Sequence, residues 1–310
     1  MSLSSFSRLV HADWSTTPGK RWFAEARRDA TGWLVEAPRL VGRVEHFVGE
    51  LFSGPLPTLA GFDFPVGMPV QVGRRTGFSG FSEAIDQFGL GPWARFYDVS
   101  EEAQDISLHR PFYPRVSSSS ARQAHLLSAL GVEHMDALRR ECERATSDRR
   151  AACSLFWTLG GNQVGKAAIS GWRDVVQPAR RAGALLWPFD VAALSSVEQG
   201  SVVLCETYPA EAYGHVGVRF RRGGSKQRQE DRRAATAGLG QRCERHGVRL
   251  SSDMVAVLTD GFGPRKDGED AFDATIGLMG MIEVVEGRRA PAPGVRQAPE
   301  WEGWILGQTA

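Results

Sequence analysis

Three strand-like stretches follow one another near the start of the chain with almost nothing between them. They are residues 8–14 (RLVHADW), 21–28 (RWFAEARR) and 33–41 (WLVEAPRLV). A parallel connection needs a crossover of a dozen or more residues. The links here, 15–20 (STTPGK) and 29–32 (DATG), are too short for that and carry Pro and Gly as turn punctuation. The stretch is therefore restricted to an antiparallel meander. The period then changes. Val41, Val44, Phe47, Val48 and Leu51 fall at helical spacing, and 58–67 (TLAGFDFPVG) reads as a short buried strand stopped by Pro65, which cannot donate to a ladder.

Further along, 184–190 (ALLWPFD) and 201–211 (SVVLCETYPAE) are strand-like. The basic run 219–233 leads into a helix through Cys243, and 252–262 reads as another. Residues 270–285 (DAFDATIGLMGMIEVV) form a strong helix, with Phe272, Ile276, Met279 and Ile282 near one face. Strands interleaved with helices predict an α/β fold. Residues 70–180 read as a mostly helical insertion within a single domain spanning 1–310, and 132–145 (VEHMDALRRECERA) is expected to be an amphipathic helix in it. Trp301 and Trp304 are expected to pin the Pro/Gly-rich tail to the body.

With 42% hydrophobic residues the chain can bury a sizeable core, and a net charge of +1 neither demands nor excludes an anionic partner. Cys142, Cys153, Cys205 and Cys243 form no CxxC pair and have no histidine cluster beside them, so neither a zinc site nor a disulfide framework is expected. No run approaches the ~18–20 apolar residues of a membrane span. The expectation is a soluble, cytoplasmic protein.

The chemistry lies in the acids. Asp13 ends the first strand, Asp63 ends the fourth, and Glu206 ends a later one. Ligands of open α/β sheets gather outside the carboxyl ends of strands. Asp270 and Asp273, spaced i, i+3, share one face at the start of the last long helix. Taken singly, such acids serve as turn formers or helix caps. Brought together they would repel, and one would stay protonated without compensation. Mg2+ or Mn2+ removes that conflict, binding through a few carboxylates and leaving positions for water and phosphate oxygens. Two such ions ~3.5–4 Å apart suit phosphodiester hydrolysis.

The motifs HADWS (11–15), GFDFPVGMP (61–69), ETYPAE (206–211) and DAFDATIGLMGM (270–281) resemble an uncharacterised family of predicted ribonuclease-H-like nucleases. Its pattern is an Asp on the first strand, a D-x-P strand, an acid followed by Tyr/His-Pro, and a D-x-x-D-A helix near the end. The resemblance spans most of the chain in the right order. It implies a five-stranded mixed sheet that begins with an antiparallel meander and carries helices on both faces. It further implies that Asp13 and Asp63 are metal-binding acids joined by Asp273 and Asp270, that Glu206 is an extra ligand, and that Glu45 is another candidate. The catalytic set is then Asp13, Asp63, Glu206 and Asp273, acting on DNA or RNA.

Other signals concern phosphate. GGNQVGKA (160–167) nearly spells a P-loop, but Ala167 stands where Ser or Thr would hold magnesium. Lys166, with Arg221, Arg222 and Lys226 of the basic run, is expected to meet the substrate. Two alternatives stay open: a nucleotide-binding phosphotransferase or ATPase of the same core fold, and a non-catalytic nucleic-acid-binding module.

Overall fold

The computed structural model describes residues 6–115, 122–145, 150–159, 164–264, 268–294 and 299–309. At its centre lies a mixed sheet of eight strands: β1 (Arg8–Asp13), β2 (Trp22–Asp29), β3 (Gly32–Val35), β4 (Arg39–Leu40), β5 (Thr58–Phe62), β6 (Leu185–Leu186), β7 (Val202–Glu206) and β8 (Val248–Leu250). The order across it is β6-β7-β5-β1-β2-β3-β8, with β4 also on β2. The first three strands form the expected antiparallel meander, and β5 and β7 extend it in parallel with β1. The sheet is wider than the five strands expected. The additions are β4 and β6 of two residues each and β8 of three. β4 and β6 fall inside the strand-like stretches 33–41 and 184–190, whereas β8, three residues long, carries too little side-chain pattern to be recognised from sequence.

The helices are α1 (Val44–Leu51), α2 (Val70–Gly73), α3 (Phe81–Gln87), α4 (Gln123–Leu130), α5 (Val164–Gly171), α6 (Gln177–Arg181), α7 (Pro209–His215), α8 (Gln229–Thr236), α9 (Leu239–Arg245), α10 (Ser252–Asp260), α11 (Gly268–Val285) and α12 (Pro299–Glu302). A π-helical turn, Trp172–Val176, joins α5 to α6.

Alternate strand residues feed two cores, as the period of two requires. Val10, Ala12, Ala60, Phe62, Val202 and Leu204 face a cluster that includes Phe47 of α1, Phe81 of α3 and Trp172. Leu9, Leu59, Val203 and Cys205 face the opposite cluster, with Ile276 and Met279 of α11 and Cys243 of α9. Cys142 packs into that opposite cluster, but the described residues of 70–180 otherwise form most of the layer over one face of the sheet. They do so with short helices, 3-10 turns and loops.

Residues 132–145 are not the single amphipathic helix expected. They form two 3-10 turns, Met135–Leu138 and Glu141–Glu143, with Arg139 extended between them (φ −116°, ψ 143°). Arg140 is fully buried and, besides Glu143 nearby, binds Glu206 and the Glu302 carbonyl on distant segments, so tertiary ion pairing overrides local propensity here. The serine run 117–120 and the glycine stretch 160–163 lie outside the described residues. Trp301 and Trp304 are buried, and the tail is held through Glu302, which accepts from the backbone N–H groups of Val70 and Glu141. No helix among the described residues is long and apolar enough to cross a membrane.

Candidate active site

The strand register places two acids side by side. Ala12 pairs with Phe62 across β1 and β5, so Asp13 and Asp63 follow in the same row at the carboxyl ends of neighbouring parallel strands. Helix α11 crosses the same face. It lies close because Gly277 and Gly61 carry no side chain. A Cβ on Gly277 would sit 2.2 Å from the His11 ring, and one on Gly61 would sit 2.7 Å from Met281 Sδ. One helical turn before Gly277, Asp273 is thereby carried to the two strand acids. Asp13, Asp63 and Asp273 line one cleft of about 440 Å3, with Glu206, Lys226 and Tyr208 also in its wall.

The electrostatics of the cluster are strained. Burial first, then the charges of Asp63, Asp273 and Asp270, holds the Asp13 carboxyl well above the usual carboxylate range. Burial pushes Asp63 up to about 7, although the Trp14 backbone N–H (2.6 Å) and a hydrogen bond from Asp13 pull it down. Burial and the neighbouring carboxylates together disfavour full ionisation of the Asp13–Asp63 pair at neutral pH. Burial raises Asp270 to about 6, with Lys20 opposing, and its buried Oδ2 has no hydrogen-bond partner among the described residues.

Asp273 is compensated from within the chain. Tyr213 of α7 donates to its Oδ1 and Lys226 to its Oδ2. Burial works against the charge on Lys226, but Asp273, Asp13 and Glu269 together raise its pKa. Lys226 is presented by a loop built around Asp231, which accepts from the Ser225 backbone N–H (3.0 Å) and pairs with Arg221 (3.2 Å). Arg232, also buried, donates to the Lys226 carbonyl (2.6 Å). Much of the basic run is thus scaffolding for one lysine. Arg222 is exposed and does not line the cleft.

Glu206 has other partners. Arg140 binds both its oxygens, at 2.6 and 2.7 Å, and the Val66 backbone N–H adds a third bond at 2.7 Å. Arg140 also pairs with Glu143 (2.9 Å) and donates to the Glu302 carbonyl (3.2 Å). The reason is register. Glu206 pairs with Phe62, one residue before the Asp63 row, so its side chain leaves the sheet on the face opposite Asp13. It braces the cleft with its oxygens engaged. Glu45 is exposed, lies beside Arg43 and does not line the cleft. Lys166 lines a second groove, not this one.

Protein-family models, curated proteins and solved structures give no match to this chain. The fit to a metal rests on the donors themselves. Asp13, Asp63, Asp270 and Asp273 offer only hard carboxylate oxygens, one of them orphaned, which suits Mg2+ or Mn2+. Among the described residues no group of three or more His, Cys, Asp or Glu side chains stands at ligating positions, and Lys226 occupies Asp273 instead. Four supporting residues carry weak sequence signals. Tyr213 follows the ETYP motif by a helical turn, Gly277 and Gly280 on α11 let it pack closely against His11 and Ala212 respectively, and His11 is bonded to Thr207 at 2.8 Å.

Proposed function

We propose that this chain is a divalent-metal-dependent nuclease that hydrolyses phosphodiester bonds of nucleic acid. The observation that carries the reading is the convergence of Asp13, Asp63 and Asp273, from β1, β5 and α11, on one cleft. The meander, its parallel extension by β5 and β7, and helices over both faces agree with the ribonuclease-H-like core that the sequence resemblance implies.

Asp13 and Asp63 would hold the ion, with Asp273 and Asp270 joining from α11. Bound there, the ion would supply Lewis-acid polarisation of the phosphodiester and lower the pKa of a bound water. Lys226 holds Asp273 in the metal-free chain, and Tyr213 keeps that carboxylate oriented through its other oxygen. Glu206, fixed by Arg140, keeps the end of β7 in place. Burial and mutual repulsion raise Asp13 and Asp63, so both are ionised and ready to act as ligands only at higher pH, and loading is favoured there.

The test is a cleavage panel over single strands, duplexes, hybrids and branched substrates with Mg2+ or Mn2+. Cleavage that needs the ion and vanishes in Asp13→Asn and Asp63→Asn is the expected result. Cleavage that survives both substitutions, or none with any substrate, overturns the reading.

A further inference from the structure

A second groove, of about 760 Å3, shares a wall with the acid cleft. The wall is the segment that leaves β1. Asp13 lines the acid cleft, while Thr16 and Arg21 line the groove. Trp14 ties the two together: its backbone N–H donates to Asp63, and its indole N–H donates to Ser170 of the groove at 3.0 Å.

The groove sets five basic side chains, Arg21, Arg110, Arg115, Lys166 and Arg173, against two acids in its lining, Asp98 and Asp174; Asp174 pairs with Arg173 (2.7 Å), while Asp105 and Glu101 beside the groove pair with Arg110 (3.1 Å) and Arg115 (2.9 Å). Arg21 is the most telling. It is only 6% exposed, its guanidinium lies 4.4 Å over the Trp14 ring, and its Nε donates to the Ser15 carbonyl. No carboxylate among the described residues forms an ion pair with it; burial lowers its pKa, and the charge of Asp174 offsets this only in part. Lys166 likewise has no ion pair among the described residues. Two further donors of the groove residues, Tyr97 Oη and Arg110 Nε, lack an acceptor among the described residues.

The backbone beneath is also unusual. Pro178 has no N–H to offer the Asp174 carbonyl, and the helix widens into the π turn Trp172–Val176 that carries Arg173. Such turns recur at functional sites.

We propose that this groove holds the sugar–phosphate backbone of a nucleic acid away from the scissile position, so that the substrate is gripped at two places. Guanidinium and ammonium groups suit phosphate oxygens. The assignment of the polyanion as nucleic acid rests on the nuclease reading.

The test is fluorescence anisotropy with a labelled oligonucleotide, single-stranded and duplex, in EDTA so that no cleavage intervenes. The Lys166→Gln/Arg173→Gln double variant is compared with wild type and with Arg245→Gln, an exposed residue on α9. Each lost phosphate contact lowers the salt slope by about 0.9, so the affinity drop between ~50 and ~200 mM salt should shrink by about tenfold in the double variant. Arg245→Gln should leave it unchanged. Arg115→Gln, on a separate loop, should move in the same direction as the double variant.

Wild-type binding that all the groove variants retain overturns the proposal. So does binding of inorganic phosphate or a mononucleotide as tight per phosphate as that of the oligonucleotide, which marks a single-anion site. Groove-dependent binding without cleavage under any metal sinks the nuclease reading and leaves the groove assigned. Cleavage by a double variant that binds like wild type does the reverse.

Discussion

Replacing Asp63 with Asn should stabilise the metal-free protein at pH 8 while removing its response to metal. Asn keeps the oxygen that accepts the Trp14 N–H and removes only the charge. The folded state lifts the Asp63 carboxyl from 3.8 to about 7. A rise of about three units corresponds to about 4 kcal/mol, and the partial exposure of the side chain at the cleft reduces this to about 2–3 kcal/mol. The sign follows from linkage. Below about pH 4 the proton is held in both folded and unfolded chains, and the acid costs nothing. As pH rises to about 7 the unfolded chain releases the proton first, so stability falls, and above that the loss is complete. Thermal melts of wild type and Asp63→Asn at pH 4 and pH 8, each with EDTA or Mn2+, measure the effect. The gap between them in EDTA should open with pH to about 5 °C in favour of the variant. Mn2+ at about a hundred times its Kd should raise the wild type by about 2.7 kcal/mol and the variant far less. A variant less stable than wild type at pH 8 in EDTA would show that Asp63 is ionised and well compensated, and the strained-cluster reasoning would fail.

Lys226→Met should bind Mn2+ more tightly by calorimetry, because Asp273 loses its internal cation, and should melt lower in EDTA at pH 8. Unchanged affinity would mean that Lys226 does not compete with the ion. Arg140→Met should cost about 3–5 kcal/mol in urea denaturation, since it leaves Glu206 and Glu143 buried without their cation. Glu206→Gln should leave Mn2+ affinity within about twofold, because a lost uniform contact of less than 0.4 kcal/mol changes binding that little; a larger loss would make Glu206 a ligand after all. Gly277→Ala gains ~1 kcal/mol of helix propensity but drives a methyl into the His11 ring, at ~1–3 kcal/mol. The clash should win in a denaturation curve and weaken metal binding by lifting Asp273 away from β1.

Much of the framework was legible along the chain. Short turns dictated the meander of β1, β2 and β3, and the spacing of apolar residues marked α1 and α11. These are properties of neighbouring residues, and a pattern of apolar side chains over eight or more positions records them. The placement of Asp13, Asp63 and Glu206 near strand ends was legible for the same reason. Which of these acids meet was not. Side chains alternate across a sheet, so a one-residue offset in pairing sends Glu206 to Arg140 on one face while Asp13 and Asp63 turn to α11 on the other. That offset is set by contacts between segments some 140 residues apart. The same holds for Arg140, whose stretch reads as a helix but folds as two tight turns around a buried charge. The chain alone determined the elements and the acids they carry. Tertiary pairing decided which acids face one another, because register and ion pairing are long-range properties that no local pattern encodes.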